Sequence, residues 1–398
     1  MCGVTPRVSA RMSGIDAFQV MEVLDLAQRL ERAGADVIHL EVGEPDFTTP
    51  QPVLDAAHRA LREHPMTYTA AVGIPPLREA IAGWYADRFG VAVDPARVVV
   101  TAGSSAALLM VLGACLDPGD RVLMGDPGYP CNRHFSRFCD TEPVLVPTDA
   151  GTGYQVTAEL LDAAWHPGVR AVVAASPSNP TGTLIPQDEW ARIADLCGRR
   201  DAVLVADEIY QGLVYGREPQ TVLSITDRAF VVNSFSKYFQ MTGWRLGWVV
   251  VPPGWTRELE KLAQNLFICP PTPAQHAALA AFAPETIAVL EARRAEFARR
   301  RDVLLDHLPA TGLRVRAVPE GAFYVYADST ALGPDSFTLA RNLLERYHVA
   351  ITPGRDFGTN APEAHVRIAY TQSVERLVEA ADRIATARRA GDLAGSAP

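Results

Sequence analysis

The chain has 398 residues, enough for two domains with a core each, and its 48% apolar and 21% charged residues are ordinary for a globular protein. A net charge of −9, with no basic run longer than Arg299-Arg300-Arg301, argues against a nucleic-acid partner. No apolar stretch approaches the roughly 20 residues of a membrane span, and residues Met1–Arg7 carry no hydrophobic signal core.

The six cysteines (Cys2, Cys115, Cys131, Cys139, Cys197 and Cys269) are scattered, with no CxxC and no metal-ligand spacing. They read as small apolar residues in a reducing compartment, so the cytoplasm is the expected location.

Residues Asp16 to Arg32 predict a helix with Val20, Val23, Leu24, Ala27 and Leu30 on one face, Asp16 as N-cap and Gly34 as stop. A short apolar strand, Val37–Leu40, runs into a turn forced by Gly43 and Pro45. A second helix runs from Ile74 to Phe89, opened by Pro75-Pro76 and closed by Gly90. Short β-branched runs then recur between helical segments: Val98–Thr101, Val122–Met124, Val144–Val146, Ala171–Ala174, Ala202–Ala206, Phe230–Asn233 and Leu246–Val251. Most are apolar throughout, as strands covered on both faces are. The fold class is therefore α/β, a mostly parallel seven-stranded sheet sandwiched by helices. A single helix is expected from about Pro273 to Leu308. An α+β portion comes after it, with strands near Phe323–Tyr326 and Val366–Ala369 and helices near Leu339–Tyr347 and Val374–Arg389. Residues 46–285 are expected to form the large domain and residues 1–45 plus 286–398 the small one, with Ala390–Pro398 a frayed tail.

In such sheets ligands bind at the carboxyl ends of the strands. Five of the strands here lead into polar or aromatic groups: Gly103-Ser104-Ser105-Ala106, Asp126-Pro127-Gly128-Tyr129, Ser178-Asn179-Pro180-Thr181-Gly182, Asp207-Glu208-Ile209-Tyr210 and Ser234-Phe235-Ser236-Lys237. Of the 37 Lys and Arg residues only Lys237 and Lys261 are Lys. A chain that otherwise uses Arg keeps at Lys237 the one cation that can lose its proton and form a Schiff base. The turn at Ser104 and Ser105 opens an apolar helix, whose N–H groups and dipole suit an anion. The fork of Arg245 suits a phosphate. Arg367 lies in an apolar strand, where a buried cation needs an anion.

Taken together these motifs, in order and spacing, resemble the class I/II aminotransferases, pyridoxal phosphate enzymes of fold type I, from about Ala10 to Arg389. The resemblance implies that Lys237 is the Schiff-base lysine and moves a proton between the substrate α-carbon and the cofactor C4′. Asp207 would pair with the pyridine nitrogen, while Tyr210 and Asn179 would bond the 3′ oxygen. Tyr129 would stack on the ring. Ser104, Ser105, Ser234 and Arg245 would hold the phosphate, together with Tyr68 of a neighbouring subunit, which makes a homodimer the expected assembly. Gly43, Asn179 and Arg367 would line the substrate site, Arg367 on the α-carboxylate. Gln240 departs from the pattern by standing where a small residue is usual, and Tyr238-Phe239 is bulkier than in many relatives.

The implied reaction is ping-pong transfer of an amino group from an L-amino acid to a 2-oxo acid. A β-lyase or other elimination enzyme on the same fold is the alternative, because it would use the same Lys, Asp and Tyr. A transcription regulator with an aminotransferase-like domain would need a DNA-binding module before the first helix, where only about a dozen residues stand. No G-x-G-x-x-G follows an early strand and no G-x-S-x-G is present, so neither a nicotinamide dehydrogenase nor a hydrolase is expected. The segment Ser13–Phe18, expected to border the side-chain pocket, lacks Arg and Lys, which favours neutral or aromatic donors over aspartate.

Overall fold

The structure, a computed structural model, describes residues 7–333 and 335–393. Cys2, most of Met1–Arg7 and the last five residues of the expected tail lie outside them.

The apolar β-branched runs pair into one seven-stranded sheet. Its strands are β1 (Val98–Thr101), β2 (Arg121–Asp126), β3 (Glu142–Pro147), β4 (Val169–Ala175), β5 (Val203–Asp207), β6 (Phe230–Ser234) and β7 (Gly247–Val250). The order across the sheet is β1-β7-β6-β5-β4-β2-β3, and β7 alone runs antiparallel to its neighbours. That reversal matters for the site. Ser234 and Thr101 both register with Gly247, so the start of β7 meets the carboxyl ends of β1 and β6 at one edge. Both faces of the sheet are buried, with Val99, Val122, Val205 and Val249 on one side and Val98, Leu123, Leu204 and Trp248 on the other.

A four-stranded antiparallel sheet (Thr352–Pro353, His365–Ala369, Tyr324–Asp328 and Arg314–Val315) and a parallel pair (Ile38–His39 with Val349–Ala350) form the rest. The apolar core is continuous from the large sheet into this part, since Ile38, Leu290, Phe323 and Val366 belong with Trp248 and Leu204 to one cluster. The bulky Tyr238 and Phe239 pack into an aromatic group with Trp84, Phe235, Trp248 and Phe282. They fill space behind the strand end rather than intruding on the cavity.

Three expectations are corrected. The single helix over 273–308 is broken into Thr272–Ala278, a 3-10 turn at Leu279–Phe282 and a long helix Pro284–Thr311, because Ala283 precedes a proline and is extended. The first helix, α1 (Gln19–Arg32), starts three residues after Asp16, which does not cap it. The start of the tail is docked: Leu393 is buried and Asp392 accepts a hydrogen bond from Tyr347 at 2.6 Å.

Candidate active site

A cavity of about 400 Å³ opens at the carboxyl edge of the large sheet. Lys237, Asp207, Tyr210, Ser104, Ser105, Tyr129, Asn179, Arg245, Gly43 and Arg367 all line it. Two of the sequence candidates do not. The Ser234 hydroxyl is used within its own turn, donating to the Leu246 carbonyl at 3.3 Å and accepting from the Ser236 N–H at 3.0 Å, and Ser236 faces the cavity instead. Tyr68 is 81% exposed and stands clear of its own chain's cavity.

At the centre, the Lys237 amine donates to the Gly43 carbonyl at 2.6 Å and lies 5.9 Å from the Tyr210 ring centre and 5.8 Å from that of Phe323. Loss of hydration lowers its pKa to about 8; Glu44 and Asp207 oppose that shift, and Arg367 and Arg245 add to it. Asp207, 3% exposed, ends β5. Burial raises its pKa to about 6, against the Ile209 N–H and the charge of Lys237. Among the described residues its Oδ1 accepts only the Ile209 N–H, at 3.2 Å. A buried carboxylate so sparsely bonded is suited to a cationic partner arriving from the cavity.

Opposite, the Tyr210 and Tyr324 hydroxyls are 2.8 Å apart, and burial pushes both phenols up. Sequence reasoning misses Tyr324, because nothing local marks it. It also explains Gly43: a Cβ there would stand 2.2 Å from the Tyr324 hydroxyl. Arg367, 2% exposed, donates to Asn179 Oδ1 at 3.0 Å, to Thr352 Oγ1 at 3.3 Å and to the Glu41 carbonyl. Its plane rests 4.5 Å from the Tyr324 ring centre and 4.9 Å from that of Phe357, and its Nε has no partner among the described residues.

At the other end, Gly103 (φ +83°) turns the chain into the helix Ser104–Cys115. A Cβ on Gly103 would come within 2.7 Å of Arg245 Nη2, and one on Gly247 within 2.8 Å of the Ser104 N–H. The two glycines thus leave room for Arg245 beside the free helix N-terminus. This is a cradle for a dianion. A buried acid, a lysine of lowered pKa, a tyrosine and an anion cradle on one rim fit a pyridoxal phosphate.

The fold and this rim define an aminotransferase of fold type I. Comparison with known proteins agrees. The family described as "Aminotransferase class I and II" matches residues 35–384. The chain is 44% identical to the valine–pyruvate aminotransferase of Mycobacterium tuberculosis over 383 residues, 96% of this chain and 98% of that one. It is 36% identical to the aspartate/prephenate aminotransferase of Thermus thermophilus, covering 95% and 98%. A crystal structure of an aminotransferase from Mycobacterium tuberculosis superposes with a TM-score of 0.94 at 43% identity, covering 97% of this chain and all of that one. The chain belongs to the class I and II aminotransferases, a pyridoxal phosphate-dependent family. It is a transaminase, moving an amino group from an amino acid to a 2-oxo acid. Among the described residues no helix is long and apolar enough to cross a membrane.

Proposed function

We propose that this enzyme binds pyridoxal 5′-phosphate at Lys237 and takes neutral L-amino acids, aliphatic ones first, as donors. The observation that carries the preference is the cavity wall. Beyond the cofactor residues its apolar side chains include Phe18, Val20, Met21, Val42, Leu108 and Ile209. The cations on the wall are Lys237, Arg245 and Arg367, so once a phosphate and an α-carboxylate are bound no cation is left for an acidic side chain. Glu44 at the rim would repel one. The 44% identical relative is named for valine and pyruvate, and relatives at 36% are named for aspartate/prephenate and for arginine, so the wall rather than kinship decides.

In this reading Arg367 binds the α-carboxylate, and its bond to Asn179 fixes that side chain beside the ring. Bound at Lys237, the cofactor supplies a ring that accepts electrons from the substrate α-carbon. Asp207 keeps a proton on the pyridine nitrogen, which strengthens that withdrawal. Once the incoming amino group has displaced Lys237 from the cofactor, its freed Nζ would take the α-proton, and the loss of hydration that lowers its pKa favours the neutral amine this needs. Tyr210, fixed by Tyr324, holds the 3′ oxygen. Ser104, Ser105 and Arg245 hold the phosphate, with Ser236, which faces the cavity, in the place expected of Ser234.

A homodimer completes the reading. The segment carrying Tyr68 is pinned to the 272–276 region by Thr272 to the Thr67 carbonyl (2.8 Å) and Gln275 to Thr69 (3.0 Å). Leu61, Met66, Tyr68, Leu266, Phe267 and Ile268 are all exposed around that seam. A second copy covering this patch would bring Tyr68 to the partner's phosphate. We retain residues 46–285 as the large domain and residues 1–45 plus 286–398 as the small one, because each part has its own sheet. The cytoplasm suits the five free cysteines Cys115, Cys131, Cys139, Cys197 and Cys269.

The test is a donor panel read by single-turnover conversion of the bound cofactor. Valine, leucine and alanine should outrun aspartate and glutamate about a hundredfold, the effect of about 3 kcal/mol for burying an unpaired carboxylate. The reverse order overturns the substrate reading. Sustained release of ammonia without an acceptor would instead favour elimination.

A further inference from the structure

We propose that Asp356 is a positioning residue that docks α1 over the substrate side chain and so sets the preference among donors by size. This rests on the neutral-donor reading above and deepens it.

The first N–H groups of a helix need partners from outside it. α1 begins after Phe18, which offers no side-chain acceptor. Its partner comes from the far end of the chain: the two carboxylate oxygens of Asp356 accept the N–H groups of Gln19 and Val20, each at 3.0 Å. Asp356 is buried, and burial raises its pKa; the Gln19 and Val20 N–H groups, and after them the charges of Arg367 and Arg133, pull it back toward the ionised form. The carboxylate therefore suits the positive end of the helix dipole as well as its free donors.

Asp356 can hold the helix because its own loop is fastened to the large sheet. The Gly128 N–H donates to the Phe357 carbonyl at 2.8 Å, and Arg133 reaches the Asp356 carbonyl at 3.1 Å. Asp126, at the end of β2, accepts from the Thr359 N–H and hydroxyl, both at 2.9 Å, and from the Asn360 N–H at 3.1 Å. Gly358 packs so closely that a Cβ would stand 1.7 Å from Asp126 Oδ1. The same loop sets Phe357 against the Arg367 guanidinium. One rigid segment thus touches the carboxylate site through Phe357 and the side-chain site through Asp356.

The two halves of α1 are held differently. Val23, Leu26, Ala27 and Leu30 pack on Val37, Leu344 and Ala350. The first turn carries Val20 and Met21, which with Phe18 line the cavity, and Met21 is exposed. That turn depends on Asp356, helped upstream by Arg137 to the Gly14 carbonyl at 2.6 Å and Arg11 to Asp140 at 2.9 Å. Donors long enough to reach this turn should feel its docking, and alanine should not.

The experiment compares holoenzyme of wild type, Asp356→Ala and Asp356→Asn, which keeps one acceptor. KM and kcat are measured for leucine, valine and alanine, and hydrogen exchange is followed at residues 18–24. Asp356→Ala should raise KM for leucine and valine about fivefold to tenfold, the effect of a lost cap, while alanine changes less than about twofold. Exchange at Gln19 and Val20 should accelerate, with Asp356→Asn in between. Equal losses for alanine and leucine, or unchanged exchange at those amides, would overturn the proposal. If wild type prefers aspartate, the donor reading fails separately. The cap is then decided by the exchange and by the aspartate-to-alanine ratio in the variants, and if Asp356→Ala does not fold, Asp356→Asn carries both readouts.

Discussion

Arg300 and Arg367 are both buried arginines, and they are buried in opposite ways. Arg300 has two carboxylates, Asp46 at 2.8 Å and Glu296 at 3.0 Å, with the Phe47 and Phe297 rings against it. Among the described residues Arg367 is hydrogen-bonded only to neutral oxygens, from Asn179, Thr352 and Glu41, with one guanidinium nitrogen unpartnered. A buried cation left short of an anion is costly. Where the cost is met inside the chain, as at Arg300, the residue serves the fold. Where the shortfall faces a cavity, as at Arg367, the residue serves a ligand. Asp207, with a single backbone donor, belongs to the second kind.

The sharpest way to break this contrast is to exchange each arginine for a neutral polar group. Arg367→Gln should raise the amino-acid KM about a hundredfold or more with little change in melting temperature. Arg300→Gln should leave KM near wild type and destabilise the protein by about 1 to 3 kcal/mol, because it takes from the part-buried Asp46 its ion pair while Glu296 keeps Arg299. Matched effects on KM and stability in both variants would erase the distinction.

A smaller effect is expected at Gln240. It comes just after the lysine turn at φ +55°, a left-handed conformation that costs a non-glycine residue about 1 kcal/mol. Its side chain accepts from Arg293, which also bonds the Thr48 carbonyl. Gln240→Gly should stabilise by about 0.5 to 1 kcal/mol with kcat unchanged, measured by chemical denaturation. A loss of stability would show that the Arg293 contact outweighs the backbone strain. The departure seen in the sequence at Gln240 is thus a backbone matter, not a missing catalytic group.

Legibility in the sequence divides along the same physical line. Lys237, Asp207, Asn179 and Tyr129 each stand at or just beyond the end of an apolar strand, so local pattern and sheet geometry place them together. Arg367 announces itself as a charge in an apolar run. Tyr324 and Asp356 could not be found that way, since each acts on a segment hundreds of residues away, and no local pattern encodes that pairing. The same limit misassigned the cap of α1 to the nearby Asp16. It also hid the choice between Ser234 and Ser236, which depends on which hydroxyl the turn itself consumes.

The central claim is that the cavity holds Lys237 as an amine ready to lose its proton. With only two lysines in the chain, the protein carries its own control: ¹³C-labelled lysine gives two Cε signals, and Lys261→Arg removes one. In the cofactor-free protein the remaining signal should titrate with a midpoint of about 8. A midpoint above about 10, that of an ordinary solvated lysine, would contradict the account.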